Sequence, residues 1–365
     1  MMHGVWVDEG LHRLVAEGAI VPALPLVEGQ VQPASLDLRL GTRAYRLQAS
    51  VLPAAGETVA DAVRPLVMYE FSLDTPRLLE RGAIYIIPLM EGLRLPEGLQ
   101  ATASPKSSTG RLDIFVRLVT DGGETYDTVP AGYTGPLWLE VMPLTFPIVV
   151  RAGDRLNQLR IRHGNPVVGD ADLRALHTAT PLLHSDPAAP ARVEEGLWIS
   201  IDLEGLQGGS VVGYKAKRHT QPVDLANVGG YDWRDYWEPI TPRVGAPLIL
   251  YPEEFYIFAS RERVAVPAGY SAELVAYDTR VGELRLHYAG FFDPGFGITD
   301  GKAVGTHAVL EVRAHDVPCV LRHGQRLGRF IFERLAQPSA ALYGHGIGSN
   351  YAGQGLKLAK QFRMA

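Results

Sequence analysis

The chain contains itself twice, and that repetition constrains its fold more than any other feature. "AIYIIPLMEGLRLPEGL" recurs as "EFYIFASRERVAVPAGY", and "PLWLEVMPLTFPIVVRAGDRLNQLRI" recurs as "HAVLEVRAHDVPCVLRHGQRLGRFIF". Pro96 pairs with Pro267, Glu140 with Glu311 and Gly153 with Gly324, each 171 residues apart. Shared strand-and-turn grammar makes short β pieces look alike, but it does not hold polar and glycine anchors at one constant offset. A shorter match, "ASLDLRLG" with "ISIDLEG", extends the repeat towards its start. The reading is two tandem modules, residues 1–190 and 191–365, joined in the Pro/Ala-rich "HSDPAAPARVEEG".

Each module is mainly β. Short apolar runs such as "AIYIIPL", "DIFVRLVT", "LWLEVMPL" and "RLNQLRI" are separated by turns drawn from 26 prolines and 39 glycines. Helical spacing is convincing near the start only, in "VDEGLHRLVAEGAI", where Leu11, Leu14 and Val15 share a face and Gly18 stands near the end. A net charge of −5 gives no general attraction to nucleic acid or to an anionic membrane. No apolar run approaches membrane-spanning length, and "MMHGVWVDEG" has no signal-peptide character, so the expected setting is the cytoplasm. One cysteine, Cys319, excludes internal disulfides and multi-cysteine metal sites.

Two local features carry chemistry. The octet "SPKSSTGR" (Ser104–Arg111) gathers cationic and hydroxyl groups suited to phosphate oxygens, although it lacks the order of a P-loop and a solvated turn is the plain alternative. In "LWLEV", alternation sets Leu137, Leu139 and Val141 on one strand face and Trp138, Glu140 and Met142 on the other. A carboxylate amid apolar residues is costly without a partner. Arg111 is the nearest in motif terms, and a structural ion pair is the competing explanation.

In order along the chain, "QPASLDLRLG", "SPKSSTGRLDIFV", "AGYTGPLWLEV", "RAGDRLNQLRI" and "SNYAGQG" resemble the dCTP deaminases, relatives of the trimeric dUTPases. The resemblance implies two tandem dUTPase-like distorted β-barrel or jelly-roll repeats with short helices. It implies that Lys106, Ser107 and Ser108 face a triphosphate, that Arg111 stands beside a catalytic Glu140, and that Thr120 and Asp121 line the substrate. Asp127, Gly132 and Tyr133 match a loop "D-P-G-W-x-G", with three extra residues between aspartate and glycine. Tyr351 and Gln354 match a closing tail. Asn350 replaces the family lysine there, leaving Lys357 or Lys360 to supply the cation.

Zinc deaminases use H-x-E and P-C-x-x-C elements, which this sequence lacks, so the expected route is zinc-independent. Glu140 would take a proton from water held by Ser107, then pass protons to N3 and to departing ammonia, with Arg111 orienting it. Magnesium is expected only with the triphosphate. The expected reaction is dCTP to dUTP and ammonia, with dTTP a regulator in relatives. The alternatives are dUTP diphosphatase chemistry through Asp121 or Asp127, a bifunctional enzyme, and a non-enzymatic nucleotide-binding scaffold. In the second repeat Arg280 aligns with Arg111, but Ala276, Tyr277 and Asp278 replace the serine turn, so that repeat reads as scaffold. Cyclic closure as in the trimeric relatives implies a homotrimer with six repeats.

Overall fold

The computed structural model describes residues 3–184, 190–242, 245–276, 284–286, 290–314, 316–344 and 355–364. It divides into two compact units, Met1–Pro166 with His219–Val228 and Leu335–Ala340, and Val167–Arg218 with Gly229–Arg334 and Ala341–Ala365. The first unit's main segment closes at Pro166, so residues 167–190, which the repeat reading attached to the first module, are counted with the second unit.

In the first unit two sheets enclose the core. One runs Thr128–Val129, Leu99–Pro105, Arg155–His163, Ser35–Arg39, Val31–Gln32; the other runs Ile114–Thr120, Thr134–Pro143, Ile84–Arg94, Arg43–Leu47, Val67–Ser72. Leu36, Leu38, Leu99, Leu137, Leu159 and Ile161 pack between them. Helix α1 (Asp8–Ala16) adds Leu11 and Leu14 to that core, and Gly18, at φ +75°, ends it in the left-handed region that favours glycine.

The second sheet is covered on its outer face as well. Residues 48–66 cross it and form helix α2 (Val59–Val63), capped by the Thr58 hydroxyl on the Asp61 amide at 3.1 Å. Val59 and Val63 pack with Leu47, Ile86 and Val119, and Tyr45, Tyr126 and Trp138 close the margins. This cover decides the environment of every side chain on that face.

The second unit repeats the plan. Leu99–Pro105 returns as Tyr270–Ala276, Arg155–His163 as Arg326–Arg334, and Arg77–Leu79 as Leu248–Leu250, all 171 residues on. Register is kept too: Ile86 opposes Glu140, and Ile257 opposes Glu311. The mainly β reading therefore holds in both halves. A helix that the sequence pattern did not single out, α4 (Asp170–Ala179), buries only Leu173, which explains its weak apolar signature.

Candidate active site

The phosphate-turn candidate is a single helical turn. Helix α3 (Ser107–Gly110) starts after extended Lys106, and Arg111 closes it. Two bonds fasten the turn to the neighbouring strand: the Lys106 amide to the Leu156 carbonyl at 3.0 Å and the Thr109 hydroxyl to the same carbonyl at 2.7 Å. Ser107 is exposed, Ser108 half-buried and Arg111 buried. The Lys106 ammonium meets the buried Asp37 carboxylate, and Arg155 approaches the same carboxylate at 3.3 Å. Both lysine and hydroxyls thus sit at the surface of a rigidly anchored bend.

Glu140 lies on the other sheet. The row Arg117–Glu140–Ile86–Tyr45 runs across four strands on the outer face, under residues 48–66. Glu140 is 1% exposed. Its Oε1 accepts the Ser50 hydroxyl at 2.9 Å, and the nearby Val51 backbone amide favours the ionised carboxylate. Its Oε2 is buried with no hydrogen-bond partner. Desolvation pushes its pKa above the ordinary carboxylate range, opposed by the Ser50 and Val51 bonds and by the Arg117 charge. The group is held ready to take up a proton.

The arginine facing Glu140 across the strand pair is Arg117. Its guanidinium binds Asp127 at 2.7 Å and lies 4.7 Å from the Phe115 ring centroid. Asp127 takes a left-handed φ of +59° and also accepts the Leu118 amide at 2.8 Å. Burial raises the Asp127 pKa despite Arg117. Tyr126 places its hydroxyl 2.7 Å from the Ser50 hydroxyl. Since Ser50 gives its one proton to Glu140, Tyr126 is the donor in that second bond.

The remaining expected residues occupy the far end of the same hairpin. Asp121 accepts the Val59 amide at 2.8 Å, so it caps α2 and anchors the cover. The Tyr133 hydroxyl donates to the Pro136 carbonyl at 2.6 Å and accepts the Asp121 amide at 3.2 Å, with burial raising its pKa to about 12. Thr120 is buried beside them.

Within one chain, then, the structure brings Glu140 and Asp127 together and sets the α3 turn apart. Ile114 is three residues before Arg117, about 10 Å along the strand, and Arg111 lies beyond it. Tyr351 and Gln354 lie outside the described residues, as do Tyr277 to Arg280; Lys357 is half-buried in the second unit. Sequence reasoning missed Ser50, Arg117 and Tyr126. Arg117, a charge inside "IFVRLVT" opposite Glu140, was findable from strand pairing; Ser50 left no local signal.

Two modules of this β plan in one chain are shared with known proteins. Residues 2–165 match the 2'-deoxycytidine 5'-triphosphate deaminase (DCD) N-terminal domain family, and residues 169–362 match the C-terminal domain family of the same name. A crystal structure of 2'-deoxycytidine 5'-triphosphate deaminase from Agrobacterium tumefaciens is similar at 46% identity and TM-score 0.87, over 93% of this chain and 100% of that one. The dCTP deaminase of Halorubrum lacusprofundi is 34% identical over 151 residues, 41% of this chain and 71% of the relative. A "dCTP deaminase, dUMP-forming" of Mycolicibacterium vanbaalenii is 33% identical over 32% of this chain and 58% of its own length. The chain belongs to the dCTP deaminase family, and its fold is the dUTPase-like β fold expected from the motifs.

Proposed function

We propose that the chain is a dCTP deaminase, hydrolysing dCTP to dUTP and ammonia without zinc, with Glu140 as general base and then general acid. The observation that carries this reading is the buried carboxylate with one oxygen held by Ser50 and the other unpartnered. The unpartnered oxygen removes a proton from water as that water's oxygen attacks C4. The proton goes to N3, a tetrahedral intermediate forms, and its collapse breaks the C4–N4 bond. Glu140 relays the proton that leaves with ammonia, and the ring retains a carbonyl oxygen.

Lys106, Ser107 and Ser108 would hold the triphosphate, with Ser107 on the water and Arg111 on the developing charge. Because α3 and Glu140 stand apart along one chain, the turn of one copy serves the Glu140 of another, as a homotrimer of two-repeat chains would allow. Magnesium arrives as the counter-ion of the triphosphate. No helix among the described residues is long and apolar enough to cross a membrane, and the proposed setting is cytoplasmic. Substrate closure by the tail around Tyr351, Gln354 and Lys357 and feedback by dTTP belong to the same proposal.

A second reading, deamination followed by release of pyrophosphate, draws on the relatives named dUMP-forming, such as those of Mycolicibacterium gilvum and Nocardioides at 33% and 34% identity. Incubation with dCTP and with dUTP, following ammonia and pyrophosphate, decides between them. Ammonia from dCTP without pyrophosphate supports the deaminase; both products support the bifunctional enzyme; neither product from either substrate removes both and leaves a binding scaffold.

A further inference from the structure

The first unit completes one of its small sheets with a strand that has no counterpart among the described residues of the second. Arg77–Leu79 and Ile148–Val150 pair antiparallel, and Val223–Asp224 joins the outer edge of Ile148–Val150 in parallel. The Val223 amide donates to the Pro147 carbonyl at 2.9 Å and the Leu225 amide to the Val149 carbonyl at 3.2 Å. Arg151, just past the strand, grips the Asp224 carboxylate with both terminal nitrogens, at 2.7 and 2.9 Å. Beneath this third strand Phe146 and Ile148 are fully buried.

The same sheet exists 171 residues on, as Leu248–Leu250 paired with Cys319–Leu321. The turn that follows is repeated as well. The Arg322 amide donates to Gln325 Oε1 at 3.1 Å where the Arg151 amide donates to Asp154 Oδ2 at 2.8 Å. Gly324 and Gly153 share a positive φ, +73° and +87°. Among the described residues, though, Cys319–Leu321 pairs with Leu248–Leu250 alone. Val317 stands where Phe146 does and is 49% exposed; Val320 stands where Val149 does and is 45% exposed. Cys319 is half-buried where Ile148 is buried, and Arg322 is exposed.

We propose that the outer edge of Cys319–Leu321 docks an extended acidic segment of another polypeptide, running parallel, whose carboxylate pairs with Arg322. The first unit supplies the template for the occupant. Its strand is an apolar residue followed at once by an aspartate, giving two amide bonds and one bidentate ion pair. Transposed, the docked apolar residue lies beside Cys319 and its amide meets the Pro318 carbonyl. The amide two residues later meets the Val320 carbonyl, and the carboxylate reaches Arg322. Exposed strand edges attract partners in this way, with backbone bonds giving affinity and alternate side chains giving selectivity.

The test uses the full chain and a fluorescein-labelled decapeptide with the sequence of residues 219–228, HTQPVDLANV, read by anisotropy. The expected result is saturable binding, weakened at least tenfold by Arg322→Glu in the chain and equally by Asp224→Asn in the peptide. Arg322 is exposed on a turn, and a thermal melt checks that its variant folds. The proposal is overturned by no saturation up to about 1 mM peptide. Binding that ignores Arg322→Glu also overturns it, because the peptide would then have exchanged onto the first unit's edge. Self-association of the wild-type chain that Arg322→Glu abolishes, with no peptide bound, assigns the edge to a second copy and equally ends the proposal.

Discussion

The Ser50 hydroxyl donates to Glu140 Oε1 at 2.9 Å while the Tyr126 hydroxyl lies 2.7 Å from the same serine oxygen, so the two side chains form a donor relay ending on the carboxylate. The relay stabilises the ionised form and opposes burial, which raises the pKa. Ser50→Ala removes the first donor, and a hydrogen bond to a charged group contributes about 1.5 kcal/mol or more. The Glu140 pKa should rise further, because the ionised form loses a donor. A base works deprotonated, so the acid limb of the kcat–pH profile should move to higher pH with KM for dCTP little changed. An unmoved limb would remove Ser50 from the relay.

Glu140→Gln should abolish turnover and leave triphosphate binding nearly intact. It should also change how stability depends on pH. With the folded pKa raised above the unfolded value, the native state binds more protons between those two values. Stability therefore falls as pH rises through that window and is flat outside it. The Gln variant lacks this contribution and keeps that of Asp127, so its slope should be shallower, which melting temperatures across pH 4–8 read directly. A wild-type and variant pair with parallel curves would contradict the raised pKa.

Gly135 is held open by its neighbour. A Cβ there would stand 2.6 Å from the Tyr133 hydroxyl oxygen, the atom that bridges the Pro136 carbonyl and the Asp121 amide. Gly135→Ala must push Tyr133 off this bridge and should destabilise the chain by about 1–3 kcal/mol. Urea midpoints of Gly135→Ala and of the double variant with Tyr133→Phe would check it. The double variant keeps the ring but lacks the clashing oxygen, and should recover part of the loss.

How far the sequence carried the structure depends on where each contact is made. The duplication was legible because Pro96, Glu140 and Gly153 each mark a turn or a strand register that geometry forces both repeats to keep. The outward face of Trp138 and Glu140 was legible from alternation alone. What covers that face was not. Residues 48–66 carry no strong period, α2 is five residues long, and its docking depends on Asp121, read from the motifs as a substrate ligand and found capping the helix. Motif order says nothing of strand register, so the Arg117 that faces Glu140 within one chain was not legible beside the expected Arg111.

A buried ion pair away from the chemistry should separate stability from activity. Glu91 accepts the Arg39 guanidinium at 2.7 Å, the Arg39 amide at 2.7 Å and the Gln30 amide nitrogen at 2.8 Å, all buried. Glu91→Ala strands the Arg39 charge in the core, a loss of about 3–5 kcal/mol. Chemical denaturation should show that loss, while turnover per folded molecule stays near wild type. Loss of turnover in the fraction still folded would mean that this network also sets the site.

Glu311 provides the sharpest contrast with Glu140. It occupies the matching register opposite Ile257 and is buried like its twin, so burial alone does not distinguish the two carboxylates. The difference lies in what each repeat offers to a triphosphate. The first repeat has Lys106, Ser107 and Ser108 in its turn; with Arg280 set against Arg111, Ala276 and Tyr277 occupy the serine positions of the second and Asp278 precedes Thr279. An aspartate beside phosphate is repulsive, and neither serine hydroxyl remains to hold a water. Glu311→Gln should therefore leave dCTP turnover within about twofold of wild type, about 0.4 kcal/mol of activation free energy. If ammonia release instead stops as it should in Glu140→Gln, the second repeat is a working site and the division of labour between the two carboxylates is wrong.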